Sequence, residues 1–167
     1  MEEKKQDTFL EIKKKKNQNV FKKRILIEQG KTRDFLAAPW NKKFIKEEYD
    51  HGEEIREEME CLGSIFQLQP TLVISYTREP FVSADNLNVR ITFDSNVRYR
   101  SKDFSLTTRT MDKHVLSPAH IIMEIKYTDH FPRWLVHLIQ KYSCNIQTFS
   151  KYCIGMEHSI REQQKFY

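Results

Sequence analysis

Five segments of the chain alternate charged and apolar residues with a period of two. Successive side chains of a β-strand point to opposite faces, so each segment predicts a strand with one charged face and one apolar face. The segments cover residues 9–15, 20–28, 71–82, 88–100 and 119–128. The first two flank the turn sequence "NQN" and therefore predict a β-hairpin.

The charged faces of these strands carry mostly long cations. Residues sharing a face are Glu11, Lys13 and Lys15; Lys22 and Arg24; Tyr76 and Arg78; Arg90, Thr92 and Asp94; and Glu124 and Lys126. Lys14 and Lys23 fall on the opposite face of the hairpin. A sheet with water on one side would explain any single strand. The excess of cations, and the helices available to cover the apolar faces, favour a sheet that curls into a barrel around a charged interior.

The remaining pattern is helical. Apolar residues recur at helical spacing over 42–66, and two further helices are predicted over 129–143 and 145–164. Pro132 suits the first turn of one of them, and Asn145 is the candidate N-cap of the other. Residues 103–110 are a further candidate strand. Strands and helices in this order predict an antiparallel α+β fold rather than alternating βαβ units.

Cations that converge in a cavity are costly unless an anion neutralises them. Phosphate suits such a cavity, because arginine forks bind its oxygens bidentately and lysines supply point charges. The few carboxylates could hold a divalent metal between protein and phosphate oxygens. The pattern therefore predicts a phosphate-binding cavity of a kind that supports phosphoryl transfer.

Composition agrees with an anionic partner, since the net charge is +5. The three cysteines form no CxxC pair and the six histidines show no metal-ligand spacing, which favours reduced thiols in a cytoplasmic protein. No apolar run approaches the roughly 18 residues of a membrane span. The first residues lack the apolar core of a signal peptide.

Seven segments occur in an order that points to a known family. They are "FLEIKKK", "VFKKRI", "ISYTREPFV", "NVRITFD", "IMEIKY", "PRWLVHLI" and "FSKYC". In these the chain resembles the polyphosphate polymerase domain of the vacuolar transporter chaperone (VTC) family, within the triphosphate tunnel superfamily. The resemblance implies one domain over residues 1–167, built as an antiparallel β-barrel tunnel with flanking helices. It also implies transfer of the terminal phosphate of ATP to a growing polyphosphate chain, with manganese or magnesium as the divalent metal.

The resemblance also implies roles for single residues. Phosphate binding would fall to Lys13, Lys22, Arg24, Arg78, Arg90, Lys126 and Lys151. Among these, Lys13, Arg78, Arg90 and Lys126 would carry the catalysis. Glu124 would be the metal ligand. Without the resemblance, Lys151 would be interpreted as a surface lysine of the last helix.

Family members carry a further section before the "EIK" strand, with an essential lysine and an R-x-R pair. This chain has only a few residues before "FLEIK", so we expect a domain truncated at its N-terminus and an incomplete barrel. The alternative is therefore a catalytically inactive polyphosphate-binding module. A tunnel triphosphatase is disfavoured because the E-x-E-x-K strand is absent. No nucleic-acid partner is expected, because Phe9, Phe21 and Phe93 are interpreted as alternating away from the charges. A membrane-associated partner and the oligomeric state stay open.

Overall fold

The computed structural model describes residues 7–16, 19–28, 30–37, 52–84, 88–106, 112–128 and 130–165. It confirms an α+β fold with antiparallel sheets. The elements are β1 (Thr8–Lys16), β2 (Asn19–Ile27), α1 (Thr32–Ala37), α2 (Gly52–Phe66), β3 (Val73–Val82), β4 (Val89–Arg100), β5 (Lys113–His114), β6 (Ile122–Tyr127), α3 (Arg133–Lys141) and α4 (Lys151–Gln164). The chain divides into two compact units, Met1–Thr71 with Phe104–Thr108, and Leu72–Asp103 with Arg109–Tyr167.

The first unit contains the predicted hairpin. β1 and β2 pair in antiparallel fashion, and Glu11 lies opposite Arg24. The apolar face of the hairpin buries Ile25 completely against Ile55 and Met59 of α2. The predicted helix over 42–66 is confirmed from residue 52 onward, whereas 42–51 lie outside the described residues. The short helix α1 was not predicted, because its six residues are too few to show a clear helical period.

The second unit contains α3, α4 and a four-stranded sheet centred on the long strand β4. β3 pairs along one edge of β4, while β6 pairs with residues 89–94 and β5 with residues 98–99. The predicted strand over 103–110 is wrong for residues 103–106, which form no strand, and 107–110 lie outside the described residues. Neither sheet closes into a barrel within the part of the chain that the structure describes.

A β-bulge interrupts the pairing of β3 with β4. Ser75 lies opposite Arg98, but Thr77 lies opposite Ser95, so Tyr76 faces two residues of β4. One of these, Asn96, has a positive φ of 52°. The extra residue reverses the alternation along β4. Asp94, before the bulge, therefore shares a face with Val97 and Tyr99, which follow it.

The last helix covers one end of that face. Val97 and Tyr99, which follow the bulge, are buried in a cluster that Ile154 of α4 joins. Gly155 permits the close approach, because a Cβ there would lie 2.9 Å from the Cδ1 atom of Ile74. The sheet therefore has one end covered by α4 and another end that carries polar side chains.

Two helix starts were predicted, and one of them is wrong. α3 begins directly after Pro132, as expected. The cap of α4 is Ser150, whose Oγ accepts a hydrogen bond from the backbone N–H of Cys153 at 3.2 Å, whereas Asn145 precedes the helix by several residues. Among the described helices, none combines the length and the apolar character needed to cross a membrane.

Candidate functional site

Six charged side chains of the second unit form what we call the cationic face. They are Arg78, Arg90, Asp94, Glu124, Lys126 and, from α4, Lys151. The register places Arg78 opposite Asp94, and Arg90 opposite Lys126. Directly opposed residues of antiparallel strands lie on the same face of a sheet. The structure therefore brings together all the site residues that were predicted for this unit.

Asp94 is the buried centre of the cationic face, with no exposed surface. Arg78 donates from Nε to Oδ1 at 2.6 Å and from Nη2 to Oδ2 at 2.7 Å, and Lys151 Nζ lies 2.6 Å from Oδ2. The hydrogen bond from Arg78, aided by Lys151, holds the pKa of Asp94 below its usual range despite the opposing effect of burial. The same bond raises the pKa of Arg78. Asp94 is thus a fixed anion that orients two cations.

Lys151 reaches Asp94 because of where α4 begins. The Ser150 cap makes Lys151 the first residue of the helix, and its side chain is only 20% exposed. Its Nζ lies 4.9 Å from the ring centroid of Tyr76, and the Cζ of Arg78 lies 5.1 Å from the same centroid. Tyr76 therefore supports both cations by cation–π contact. The period-two pattern placed Tyr76 on this face, but gave no sign that it contacts Lys151.

The other end of the cationic face is open to solvent. Arg90 and Lys126 are exposed, and Lys126 Nζ lies 3.1 Å from Glu124 Oε1. Glu124 Oε2 lies 3.5 Å from Arg78 Nη2. The side chain of Arg90 forms no ion pair or hydrogen bond in the part of the chain that is described. The face as a whole has four cations and two carboxylates, an excess of two positive charges that suits an anion.

A second set of predicted residues lies on the hairpin of the first unit. Glu11 pairs with Lys22 at 2.5 Å and with Lys13 at 3.6 Å, and Lys13 lies opposite Lys22. Burial acts to raise the pKa of Glu11, but the hydrogen bonds and charges of the two lysines outweigh it and lower the pKa. We call Glu11, Lys13, Lys22 and Arg24 the hairpin face. The side chain of Lys15 lies outside the described residues.

One expectation about the hairpin face is wrong. Phe9 was expected to point away from the charges, yet it shares their face, because positions 9 and 11 are two residues apart. The Cζ of Arg24 lies 4.9 Å from the centroid of its ring. An aromatic ring therefore accompanies cations on this face, which weakens the argument made from the sequence against nucleic-acid binding.

The opposite side of the hairpin has a different role. Lys14 and Lys23 both pair with Glu58 of α2, and Lys23 does so at 2.8 Å. The hydrogen bond from Lys14, followed by that from Lys23, lowers the pKa of Glu58. These contacts confirm that the two lysines lie apart from the hairpin face and attach the hairpin to α2.

Potential metal ligands are few among the described residues. No three His, Cys, Asp or Glu side chains of the described ranges come together as a metal site. Both oxygens of Asp94 are engaged by cations, whereas the side chain of Glu124 is 40% exposed. Glu124 could therefore supply one ligand, with phosphate oxygens and water supplying the others.

A family model described as the VTC domain matches residues 1–160. No curated protein matched the chain. The matched range contains both the hairpin face and the cationic face. The chain therefore belongs to the VTC domain family.

Proposed function

We propose that this chain binds ATP and polyphosphate and transfers the terminal phosphate of ATP to the growing polyphosphate chain. The proposal includes the cytoplasmic setting, and the antiparallel barrel with a charged interior, that the family resemblance implies. The residues that would bind phosphate are Lys13, Lys22 and Arg24 on the hairpin face and Arg78, Arg90, Lys126 and Lys151 on the cationic face.

The observation that carries the proposal is the pairing of like charges across strands. Arg90 lies directly opposite Lys126 on β6, and Lys13 lies directly opposite Lys22 on β2. Like charges in directly opposed positions destabilise a sheet. Glu124 and Glu11 offset only part of this repulsion, because each is a single carboxylate placed between cations. A bound phosphate chain would relieve the rest.

The proposed reaction is an in-line displacement at phosphorus. A terminal oxygen of polyphosphate forms a bond to the γ-phosphorus of ATP. The bond from that phosphorus to the bridging oxygen breaks, and ADP leaves with the bridging oxygen. Such a reaction needs positioning and neutralisation of charge more than covalent participation by the protein. Lys13, Arg78, Arg90 and Lys126 are the groups that would provide both.

Glu124 fits a divalent metal, manganese or magnesium, as a single protein ligand. Its carboxylate is partly exposed and lies between Arg78 and Lys126, where phosphate oxygens would complete the ligand set. When bound there, the metal would neutralise charge on the phosphate oxygens. Asp94 would not take part, because its oxygens are held by Arg78 and Lys151.

The proposal is tested by incubating the chain with γ-labelled ATP and manganese and separating labelled polyphosphate on a gel. We expect polymer from the wild-type chain and none from Arg90→Gln. The matched control is Arg98→Gln, on the same strand, whose guanidinium donates from Nε to the side chain of Asn96 at 2.9 Å and not to the cationic face. Equal loss of polymer in both variants would contradict the role given to Arg90.

A binding module without catalytic activity is the second candidate. It is favoured by the small number of acidic ligands, since Glu124 is the one carboxylate on the cationic face that is not buried. In this case the wild-type chain binds added polyphosphate in a salt-sensitive manner but makes no labelled polymer. Failure of both binding and polymer formation would contradict both candidates.

A further inference from the structure

Thr92 is a buried hydroxyl on the cationic face that none of the predicted roles uses. The residue is 4% exposed, and its Oγ1 has no hydrogen-bond partner in the described part of the chain. A buried hydroxyl without a partner is unfavourable, and most such groups in proteins are satisfied. An exception of this kind, beside a cluster of exposed cations, points to a partner that becomes available in another state of the site.

The sheet register limits which group that partner could be. Thr92 lies directly opposite Glu124 on β6 and opposite Pro80 on β3. Pro80 offers no polar side chain. On its own strand Thr92 is flanked by Arg90, which only donates, and by Asp94, whose two oxygens are occupied by other cations. Of these four neighbours, only Glu124 has a carboxylate that can rearrange.

Glu124 is held weakly in the structure. Its Oε1 lies 3.1 Å from Lys126 Nζ and its Oε2 lies 3.5 Å from Arg78 Nη2, beyond the usual length of a charge-assisted hydrogen bond. The same Nη2 atom already donates to Asp94 at 2.7 Å. The carboxylate thus occupies the place of a counter-ion between two cations that a phosphate group would also seek.

We propose that Thr92 is a positioning residue for Glu124. When phosphate binds to Lys126 and Arg78, it displaces the carboxylate of Glu124, which then accepts a hydrogen bond from Thr92 Oγ1. The hydroxyl holds the displaced carboxylate in a fixed orientation, in the way that second hydrogen bonds orient metal-binding carboxylates. The inference rests on the proposed function, because it needs phosphate to bind the cationic face.

The test uses the full chain, inorganic tripolyphosphate as the probe, and calorimetry to measure affinity. Thr92→Val removes the hydroxyl and keeps the shape, whereas Thr92→Ser keeps the hydroxyl. We expect Thr92→Val to weaken binding about tenfold, the worth of one hydrogen bond to a charged group, and Thr92→Ser to bind nearly as the wild type does. Without phosphate, Thr92→Val should unfold at a temperature no lower than the wild type, because it loses an unpartnered hydroxyl.

A double-mutant cycle shows whether Thr92 affects tripolyphosphate binding through Glu124. If Thr92 acts through the carboxylate, Thr92→Val has no further effect once Glu124→Ala is present. An equal loss in that background would mean that Thr92 contacts phosphate directly, and would overturn the inference. The inference would also be overturned if Thr92→Val bound tripolyphosphate with wild-type affinity, a result that would leave the proposed function unaffected. A lower unfolding temperature of Thr92→Val than of the wild type, both without phosphate, would overturn it as well. Absence of binding by the wild-type chain would overturn the inference and the proposed function together.

Discussion

Replacing Asp94 by asparagine removes the one fully buried charge of the cationic face while keeping its shape. In the wild type its carboxylate accepts two bonds from Arg78 and one from Lys151, all between 2.6 and 2.7 Å. The variant removes the carboxylate that Arg78 and Lys151 share, and leaves Arg78 with the more distant Glu124 at 3.5 Å. Its amide group also presents a donor where the wild type presents an acceptor. We therefore expect Asp94→Asn to loosen the start of α4 and the pairing of β3 with β4.

The solvent exposure of Arg78 and Lys151 determines how much Asp94→Asn lowers the free energy of unfolding. Removing one partner of a buried ion pair typically costs about 3–5 kcal/mol. The side chains of Arg78 and Lys151 are 31% and 20% exposed and can regain some hydration. We therefore expect a decrease of about 2–3 kcal/mol in the free energy of unfolding. For a chain of this size that decrease corresponds to about 4–12 °C in the unfolding temperature.

The assay is urea unfolding at two pH values, with Asp34→Asn as the control. Asp34 is an exposed aspartate whose one ion pair among the described residues is with Lys31, so Asp34→Asn should change the free energy of unfolding by less than about 0.5 kcal/mol. Folding lowers the pKa of the Asp94 carboxyl. Its contribution to the free energy of unfolding is therefore complete above the unfolded-state pKa of about 3.9, and is lost as the pH falls through the lower folded-state pKa. The reasoning is refuted if Asp94→Asn is as stable as the control variant at pH 7, or if its deficit is unchanged at pH 2.

Three further predictions concern other parts of the structure. Ser150→Ala should lower the free energy of unfolding by about 1 kcal/mol through loss of the helix cap, and Asn145→Ala should leave it unchanged, both by urea unfolding; the reverse order would contradict the assigned helix start. Lys22→Gln should weaken tripolyphosphate binding by calorimetry, whereas Lys23→Gln on the opposite face should not, and similar losses in both would contradict the division of the hairpin into two faces. Burial and a carboxylate partner raise the pKa of Tyr99 to about 12, so the stability that its neutral phenol provides is complete below about pH 10 and is lost as the pH rises through about 12. Tyr99→Phe should not show this fall in stability when its unfolding is followed from about pH 10 to about 12. The same dependence of stability on pH in the variant and the wild type would refute the prediction.

Much of the candidate site could be predicted from the sequence because strand side chains alternate strictly. The pattern correctly assigned Arg90 and Asp94 to one face, and Glu11 and Lys13 to another. The same rule, applied consistently, would also have placed Phe9 beside Arg24.

Other features depend on contacts that a local pattern does not contain. The bulge at Asn96 adds one residue to β4 and reverses its alternation. The alternating pattern of the sequence on either side of Asn96 does not predict it. Lys151 meets Asp94 across a separation of 57 residues, and that contact requires α4 to pack on the sheet. Ser150 and Asn145 are both good caps by residue type, so tertiary packing decides between them.

The claim that phosphate binds the cationic face is tested most directly by calorimetry with inorganic tripolyphosphate at low and moderate salt. Arg90 and Lys126 lie opposite each other and are exposed, so each should contribute to the affinity. We expect Arg90→Gln and Lys126→Gln each to weaken binding about tenfold or more at low salt, as the loss of one charge-assisted contact implies. Arg98→Gln should bind as the wild type does. Equal affinity of Arg90→Gln and Arg98→Gln would contradict the claim.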